Sequence, residues 1–355
     1  MKIRLALVTA VLLAGSVALA QPAPQPQQPA YNPLSPIPQG AKPTQLATGF
    51  KFTEGATSDK DGAVYFIDQP NDRIMRWTWD KDAGTDLTKG KLEVFLHPSG
   101  YSNGMCFDPD GNLISCADEK NELWSIAAPF PPLPATAVVP AKPAAGATAP
   151  QGLKPEDLKI THLITEYKGK PLNGPNDVWV IPKGPLAGGM YITDPLYARD
   201  WWVNRPGGKG MQQPGNYTYF LSPDHKTLTP VSTDLKMPNG IIGTPDGKTL
   251  YISNINGGPT WSYTIKDDGT LADKKSFCPA GSDGMTIDSD GNIYTTAGNA
   301  RTGLQIWSKE GKLLDKIPVG CANCCFGGKD KDILFIDSST AVYGIRMKTH
   351  GVGPS

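Results

Sequence analysis

Neither sign of charge is in excess. The 355 residues hold 34 Lys+Arg and 34 Asp+Glu, a formal net charge of +0. Such a balance offers no basic face, and so no compositional case for nucleic-acid binding. Histidine is scarce, with only His97, His162, His225 and His350. That leaves little material for a Ser-His-Asp relay or a histidine-held metal. Beyond the N-terminus there is no long apolar run, and no stretch reads as a helix of three turns. Helical bundles and coiled coils are excluded in favour of a turn-rich chain, because Gly 39 and Pro 34 stand well above the roughly 12% of average usage. Trp 8, Tyr 12 and Phe 10 supply a sizeable core and argue against wholesale disorder.

Residues 1–20 read as a secretory signal. Lys2 and Arg4 make the positive start, Leu5 to Gly15 the apolar run, and Ala18-Leu19-Ala20 the small-residue cleavage site. The run is shorter than the about 20 residues a membrane span takes. It lacks a twin-Arg pair and a cysteine at the cleavage point, so the expectation is export by the general route. The protein is then periplasmic or secreted, with no membrane attachment once the signal is removed. Residues 21–45 form a Pro/Gln-rich leader, expected to be extended. The folded domain is expected over residues 46–350. A Pro/Ala-rich stretch at 129–155 reads as a surface insertion within it, since similar units continue on both sides.

Those units are repeats. Asp61-Gly62 precedes A-V-Y-F-I-D, Asp110-Gly111 precedes N-L-I-S-C-A-D, and Lys183-Gly184 leads to M-Y-I-T-D. Asp246-Gly247 precedes K-T-L-Y-I-S-N, Asp290-Gly291 precedes N-I-Y-T-T-A, and Asp330 precedes K-D-I-L-F-I-D. Turn dipeptides flanked by alternating apolar residues signal hairpins. A third strand follows most copies, as in R-I-M-R-W or L-Q-I-W-S. Repeated β-meanders of about forty residues predict an all-β, six-bladed β-propeller. Closure is expected between a strand near Leu46–Lys51 and one at Tyr343–Met347.

Seven residues before each turn stands a carboxylate or a carboxamide: Glu54, Asn103, Asn176, Asn239, Asp283 and Asn323. Their settings repeat too, as T-E-G, S-N-G, P-N-D, P-N-G, S-D-G and A-N-C. In a propeller the equivalent residues of the innermost strands converge on one axis. Asn-Gly and Asp-Gly are also ordinary turn dipeptides, but a turn position would admit Ser or Gly, and Glu imitates Asx poorly. An all-oxygen ring with two carboxylates suits one divalent hard cation, Ca²⁺ first and then Mg²⁺ or Mn²⁺. Zn²⁺ is less favoured for want of His or Cys.

At these residues the chain resembles the gluconolactonase, regucalcin and luciferin-regenerating-enzyme family. The carrying segments include T-E-G-A-T, S-N-G-M-C-F-D-P-D-G-N-L, L-N-G-P-N-D-V, Y-I-T-D-P-L-Y, M-P-N-G-I and S-D-G-M-T-I-D-S-D-G-N-I-Y. Together they cover about Lys51 to Met347. The resemblance implies a metal at the axis held by Glu54, Asn239 and Asp283. Asn176 is implied as a fourth ligand or a substrate contact. It further implies hydrolysis of a sugar lactone or related cyclic ester. On that basis Asp283 is the candidate catalytic base, and Asn103 and Asn176 are the candidate substrate-binding amides. A non-catalytic propeller that binds a sugar acid or small molecule, and a promiscuous esterase or phosphotriesterase, are the alternatives.

The chain departs from the common pattern in the insertion and in a long loop, Leu196–Asn216. There Trp201 and Trp202 are candidates to stack on a sugar ring, with packing onto the blades as the competing role. Arg199 reads as a candidate to meet a carboxylate or hydroxyl, with a solvated arginine as the favoured role. Cys106, Cys116, Cys278, Cys321, Cys324 and Cys325 are expected to be buried or bridged structural thiols.

Overall fold

The computed structural model describes residues 32–140, 148–203, 205, 207–256, 258–298 and 301–352. The expected signal and most of the leader lie outside them, as does part of the insertion. Strand β1 is Thr44–Ser58, β2 Val64–Asp68, β3 Arg73–Trp79 and β4 Gly90–Leu96. A meander follows, with β5 Ser102–Phe107, β6 Leu113–Ala117, β7 Glu122–Ile126 and β8 Ile160–Ile164. The next is β9 Val178–Val180, β10 Met190–Asp194, β11 Tyr217–Leu221 and β12 Leu228–Ser232. Then come β13 Pro238–Gly243, β14 Thr249–Asn254, β15 Thr260–Ile265 and β16 Leu271–Cys278. Last are β17 Met285–Ile287, β18 Ile293–Thr295, β19 Leu304–Trp307 and β20 Leu313–Ile317, followed by β21 Asn323–Gly327 and β22 Ile333–Arg346. Among the described residues there is no α-helix, only three 3₁₀ turns.

The repeats predict six blades, and the hydrogen bonding corrects this to five. Four sheets have four antiparallel strands each, and the fifth has six, in the order β21-β22-β1-β2-β3-β4. The reason lies in two long strands, β1 with 15 residues and β22 with 14. The first half of β1 pairs with the end of β22, Thr44 opposite Gly344 and Thr48 opposite Ala341. The second half pairs with β2, Glu54 opposite Ile67 and Ser58 opposite Val64. The beginning of β22 meanwhile pairs with β21, from Asn323 opposite Asp337 to Gly327 opposite Ile333. Two repeat units thus share one six-stranded sheet instead of standing as separate blades. The inner strands β1, β5, β9, β13, β17 and β21 contact one another in succession around an axis. The six-stranded blade supplies two of them.

The turns explain the recurring Asp-Gly. Asp59 Oδ1 accepts the amides of Asp61 at 3.0 Å and Ala63 at 2.9 Å, and Gly62 takes the left-handed φ of 88° that closes the turn. Asp288 repeats the arrangement with the amides of Asp290 and Asn292. Strands β2, β6 and β10 are buried along their whole length, because their second faces are covered by the neighbouring sheet. They therefore read as continuous apolar runs. Tyr65 meets Phe95 and Phe107 edge-on at 5.0 and 5.2 Å, and Phe66 lies against Phe335 at 5.2 Å. Each buried aromatic of this kind contributes about 1.5–3 kcal/mol. The described part of the insertion docks on β4. Leu153 bridges Leu96, Val138 bridges Glu93, and Phe130 packs on Phe95 with centroids 5.0 Å apart.

Candidate functional site at the axis

Five of the ring positions sit where an inner strand begins, and Glu54 lies within the second half of β1. Glu54, Asn103, Asn239 and Asn323 lie on β1, β5, β13 and β21, while Asn176 and Asp283 come just before β9 and β17. In three strands the register shifts at the site residue, between Glu54 and Thr57, Ser102 and Met105, and Pro238 and Ile241. Such bulges re-aim a side chain off the pleat, here toward the axis. The following glycine is a matter of packing. A Cβ on Gly104 would collide with the Asp177 carboxylate and the Asn176 backbone, and one on Gly284 with the Asn323 amide. Gly104 N also donates to Asn176 O at 2.7 Å and Gly284 N to Ala322 O at 2.7 Å. The residue–Gly pairs are seams between adjacent inner strands, not turns.

Glu54, Asn103, Asn176, Asn239 and Asp283 line a single cavity of about 180 Å³, with Tyr197 and Arg199 on its wall. Asn323 does not line it; its Nδ2 donates to Glu54 Oε1 at 3.1 Å. Asn239 Nδ2 donates to Asp283 Oδ1 at 2.8 Å and to the Tyr197 hydroxyl at 3.2 Å. Four acceptors are left buried with no hydrogen-bond partner: Glu54 Oε2, Asn103 Oδ1, Asn176 Oδ1 and Asn239 Oδ1. An unsatisfied buried acceptor costs about 1–3 kcal/mol, so four around one cavity are placed to meet partners from outside the chain. No neighbouring side chain donates to them, and their chemistry is that of ligands to a hard cation. Among the described residues no group of three or more His, Cys, Asp or Glu is placed to hold a metal. The two acids and the amide oxygens are the whole donor set.

Electrostatics point the same way. Burial pushes the Glu54 carboxyl well above the usual range, and the charges of Asp283, Asp177 and Asp337 add to it, while the Asn323 hydrogen bond opposes. Burial lifts Asp283 to about 6, against the pull of Asn239 and the Arg199 charge. Asp177, also buried, is raised by burial and by Asp283. A bound cation reverses these directions. A larger cavity of about 510 Å³ is lined by later residues of the same inner strands, among them Met105, Phe107, Trp179, Ile241 and Met285. It is mostly apolar and lacks the convergent unpartnered oxygens, so size does not make it the reactive site.

The loop from 196 to 216 supplies what the repeats do not. Asp194 accepts the amides of Asn173 and Gly174 at 3.0 and 2.8 Å and fixes the base of the loop. Trp202 is 1% exposed, donates from Nε1 to the Asp118 carbonyl, and has Arg205 4.0 Å over its ring. It anchors the loop and is not available to a sugar. Trp201 lies flat on Tyr101, centroids 4.6 Å apart and planes 9° apart. Neither indole lines the axial cavity. The cavity residue missed in the sequence is Tyr197, and for Arg199 the less favoured of its two sequence roles places it at the cavity. Arg199 is no solvated arginine, since its Nε donates to Asp118 Oδ2 at 2.9 Å and its side chain is 22% exposed. Of the histidines, His97 bonds the Asp72 carbonyl and stands away from the cavity. The six cysteines are all free thiols, five of them buried.

The family description "SMP-30/Gluconolactonase/LRE-like region" matches residues 52–340. A gluconolactonase of Zymomonas mobilis is 29% identical over 336 residues, covering 86% of this chain and 81% of that protein. A structure of a gluconolactonase from Xanthomonas campestris superposes with a TM-score of 0.67 at 22% identity, over 88% of this chain and 91% of that one. A calcium-binding protein, regucalcin, from Agrobacterium tumefaciens gives 0.59 at 15% identity, over 88% and 95%. At those identities the two structures speak for the shared fold alone.

Proposed function

The chain belongs to the SMP-30/gluconolactonase/LRE-like family, and from that premise we propose that it is an exported, metal-dependent hydrolase of a sugar lactone or related cyclic ester. The observation that carries the reading is the set of four unpartnered buried oxygens around one cavity. Glu54, Asn176, Asn239 and Asp283 would hold one divalent cation, Ca²⁺ first. Bound there, it supplies Lewis-acid polarisation of a carbonyl and a lowered pKa for water.

The chain's own groups account for the rest. Asp283 keeps Oδ2 free of hydrogen bonds while Oδ1 is held by Asn239, and it takes the proton of the attacking water. Water adds to the acyl carbon, the ring C–O bond breaks, and that proton passes to the departing alkoxide, leaving a hydroxy acid. Asn103 Oδ1 accepts from a substrate hydroxyl. The Tyr197 hydroxyl, pushed up to about 12 by burial, keeps its proton and remains a donor. The Zymomonas relative supports the substrate class. The N-terminal signal pattern supports export, and a periplasmic or secreted mature chain beginning at Gln21 is expected by N-terminal sequencing.

The test is a lactone panel assayed by acid release, with and without chelator. Hydrolysis of at least one sugar lactone, lost on chelation and restored by Ca²⁺, is expected. Turnover unaffected by chelation would remove the cation from the reading, and no turnover of any lactone would remove the lactonase.

A further inference from the structure

The wall of the axial cavity carries one cation of its own. Arg199 is fixed from three directions: Nε donates to Asp118 Oδ2 at 2.9 Å, and the guanidinium lies 5.4 Å from the Tyr197 ring centre and 5.5 Å from that of Trp201. Trp201 is in turn stacked on Tyr101. Neither terminal nitrogen of Arg199 has a hydrogen-bond partner among the described residues. The side chain lines the same cavity as Glu54, Asn103 and Asp283. A planar fork is therefore held rigid with its Nη edge unspent, beside walls that otherwise present mainly acceptors.

A purely structural role does not account for this. The loop is already tied down by Trp202 on the Asp118 carbonyl and by Arg205 Nη2, which donates to the carbonyls of Leu172 and Asn173 at 2.7 Å each. One bond through Nε suffices as a further tether, whereas clamping between aromatic rings fixes the direction of the Nη edge. An unspent guanidinium edge matches the two oxygens of a carboxylate. Prior immobilisation lowers the ordering cost of the match.

Resting on the lactonase reading, we infer that Arg199 recognises a carboxylate on the substrate, so that the preferred substrate is the lactone of a dicarboxylic sugar acid. The free carboxylate meets Arg199, while the lactone carbonyl belongs to the oxygen ring. A neutral aldonolactone offers only a hydroxyl at that place.

The experiment compares kcat/KM for the five-membered lactones of gluconic and of glucaric acid, which differ in a terminal hydroxymethyl against a carboxylate. Calcium-loaded wild type is expected to prefer the glucaric lactone by about tenfold or more, as a charge-assisted hydrogen-bond pair allows. Arg199→Gln brings the ratio close to one. Arg199→Lys keeps the charge but loses the fork and falls between; it serves if the Gln variant melts early. Equal kcat/KM in wild type, or a preference that survives in Arg199→Gln, overturns the assignment while hydrolysis itself leaves the lactonase standing. Calorimetric binding of gluconate against its uncharged alditol, glucitol, needs no turnover. An Arg199-dependent preference for gluconate over glucitol without hydrolysis of any lactone sustains the carboxylate site and rejects the lactonase. A stronger preference for a phosphorylated than for a carboxylated lactone rejects the carboxylate in favour of phosphate.

Discussion

In the proposed reaction Asp283 is the residue on which binding and proton transfer meet. Asp283→Ala removes both a charged oxygen donor and the base, and kcat is expected to fall by at least about a thousandfold, with the circular-dichroism spectrum unchanged. Wild-type turnover in the variant would refute the role. Gly104 tests the seam between inner strands. Gly104→Ala drives a methyl into Asp177 and the Asn176 backbone, and a loss of about 1–3 kcal/mol is expected. It is read as a lower urea midpoint, together with weaker Ca²⁺ binding because Asn176 is displaced. The ring was legible in the sequence at this scale. A carboxylate or carboxamide recurs seven positions before each hairpin turn, and the structure brings five of the six to one cavity. Tyr197 was not legible, and for Arg199 the sequence favoured the solvated role over a ligand contact. They stand on a loop with no second copy, and nothing in Y-A-R-D-W-W tells a clamped arginine from a solvated one.

Among elements, the 196–216 loop is the one the repeats left blank. Its anchors are Trp202 beneath Arg205 and Asp194 on the amides of Asn173 and Gly174. Trp202→Ala is expected to cost about 3–5 kcal/mol if the whole of the burial is lost. Limited proteolysis at Lys209 should then become fast while the sheets stay resistant, and protection equal to wild type would show that Arg205 and Asp194 suffice. The hairpins could be read in advance because each is local. The fusion of two units into a six-stranded sheet could not, because it depends on whether β1 and β22 keep their hydrogen bonding through a bend, and this is decided by residues some 290 positions apart, such as Thr48 and Ala341.

For the molecule as a whole, buried carboxyls make stability depend on pH. Burial raises Asp194 to about 7 despite the two amide hydrogen bonds and the charge of Arg205, and it raises neighbouring Asp118 to about 7 despite Arg199. In the unfolded chain both titrate near 3.9. As pH falls from about 7 toward 4 the folded state takes up protons that the unfolded state does not, so their contribution to stability grows; it is lost again as pH rises through 7. The urea midpoint should climb over that interval, and less steeply in Asp194→Asn. Identical slopes in the two proteins would place the effect elsewhere.

The pairing of Thr44–Thr48 with Ala341–Gly344 has a consequence for biogenesis. Strand β1 finds this neighbour only in β22, so the circle stays open until the residues up to Gly344 have been synthesised. Glu54, a few positions along that strand, cannot take its place beside Asn323 any earlier. An ion caught by this centre is therefore acquired only once β22 has been made and seated, wherever in or beyond the cell that occurs.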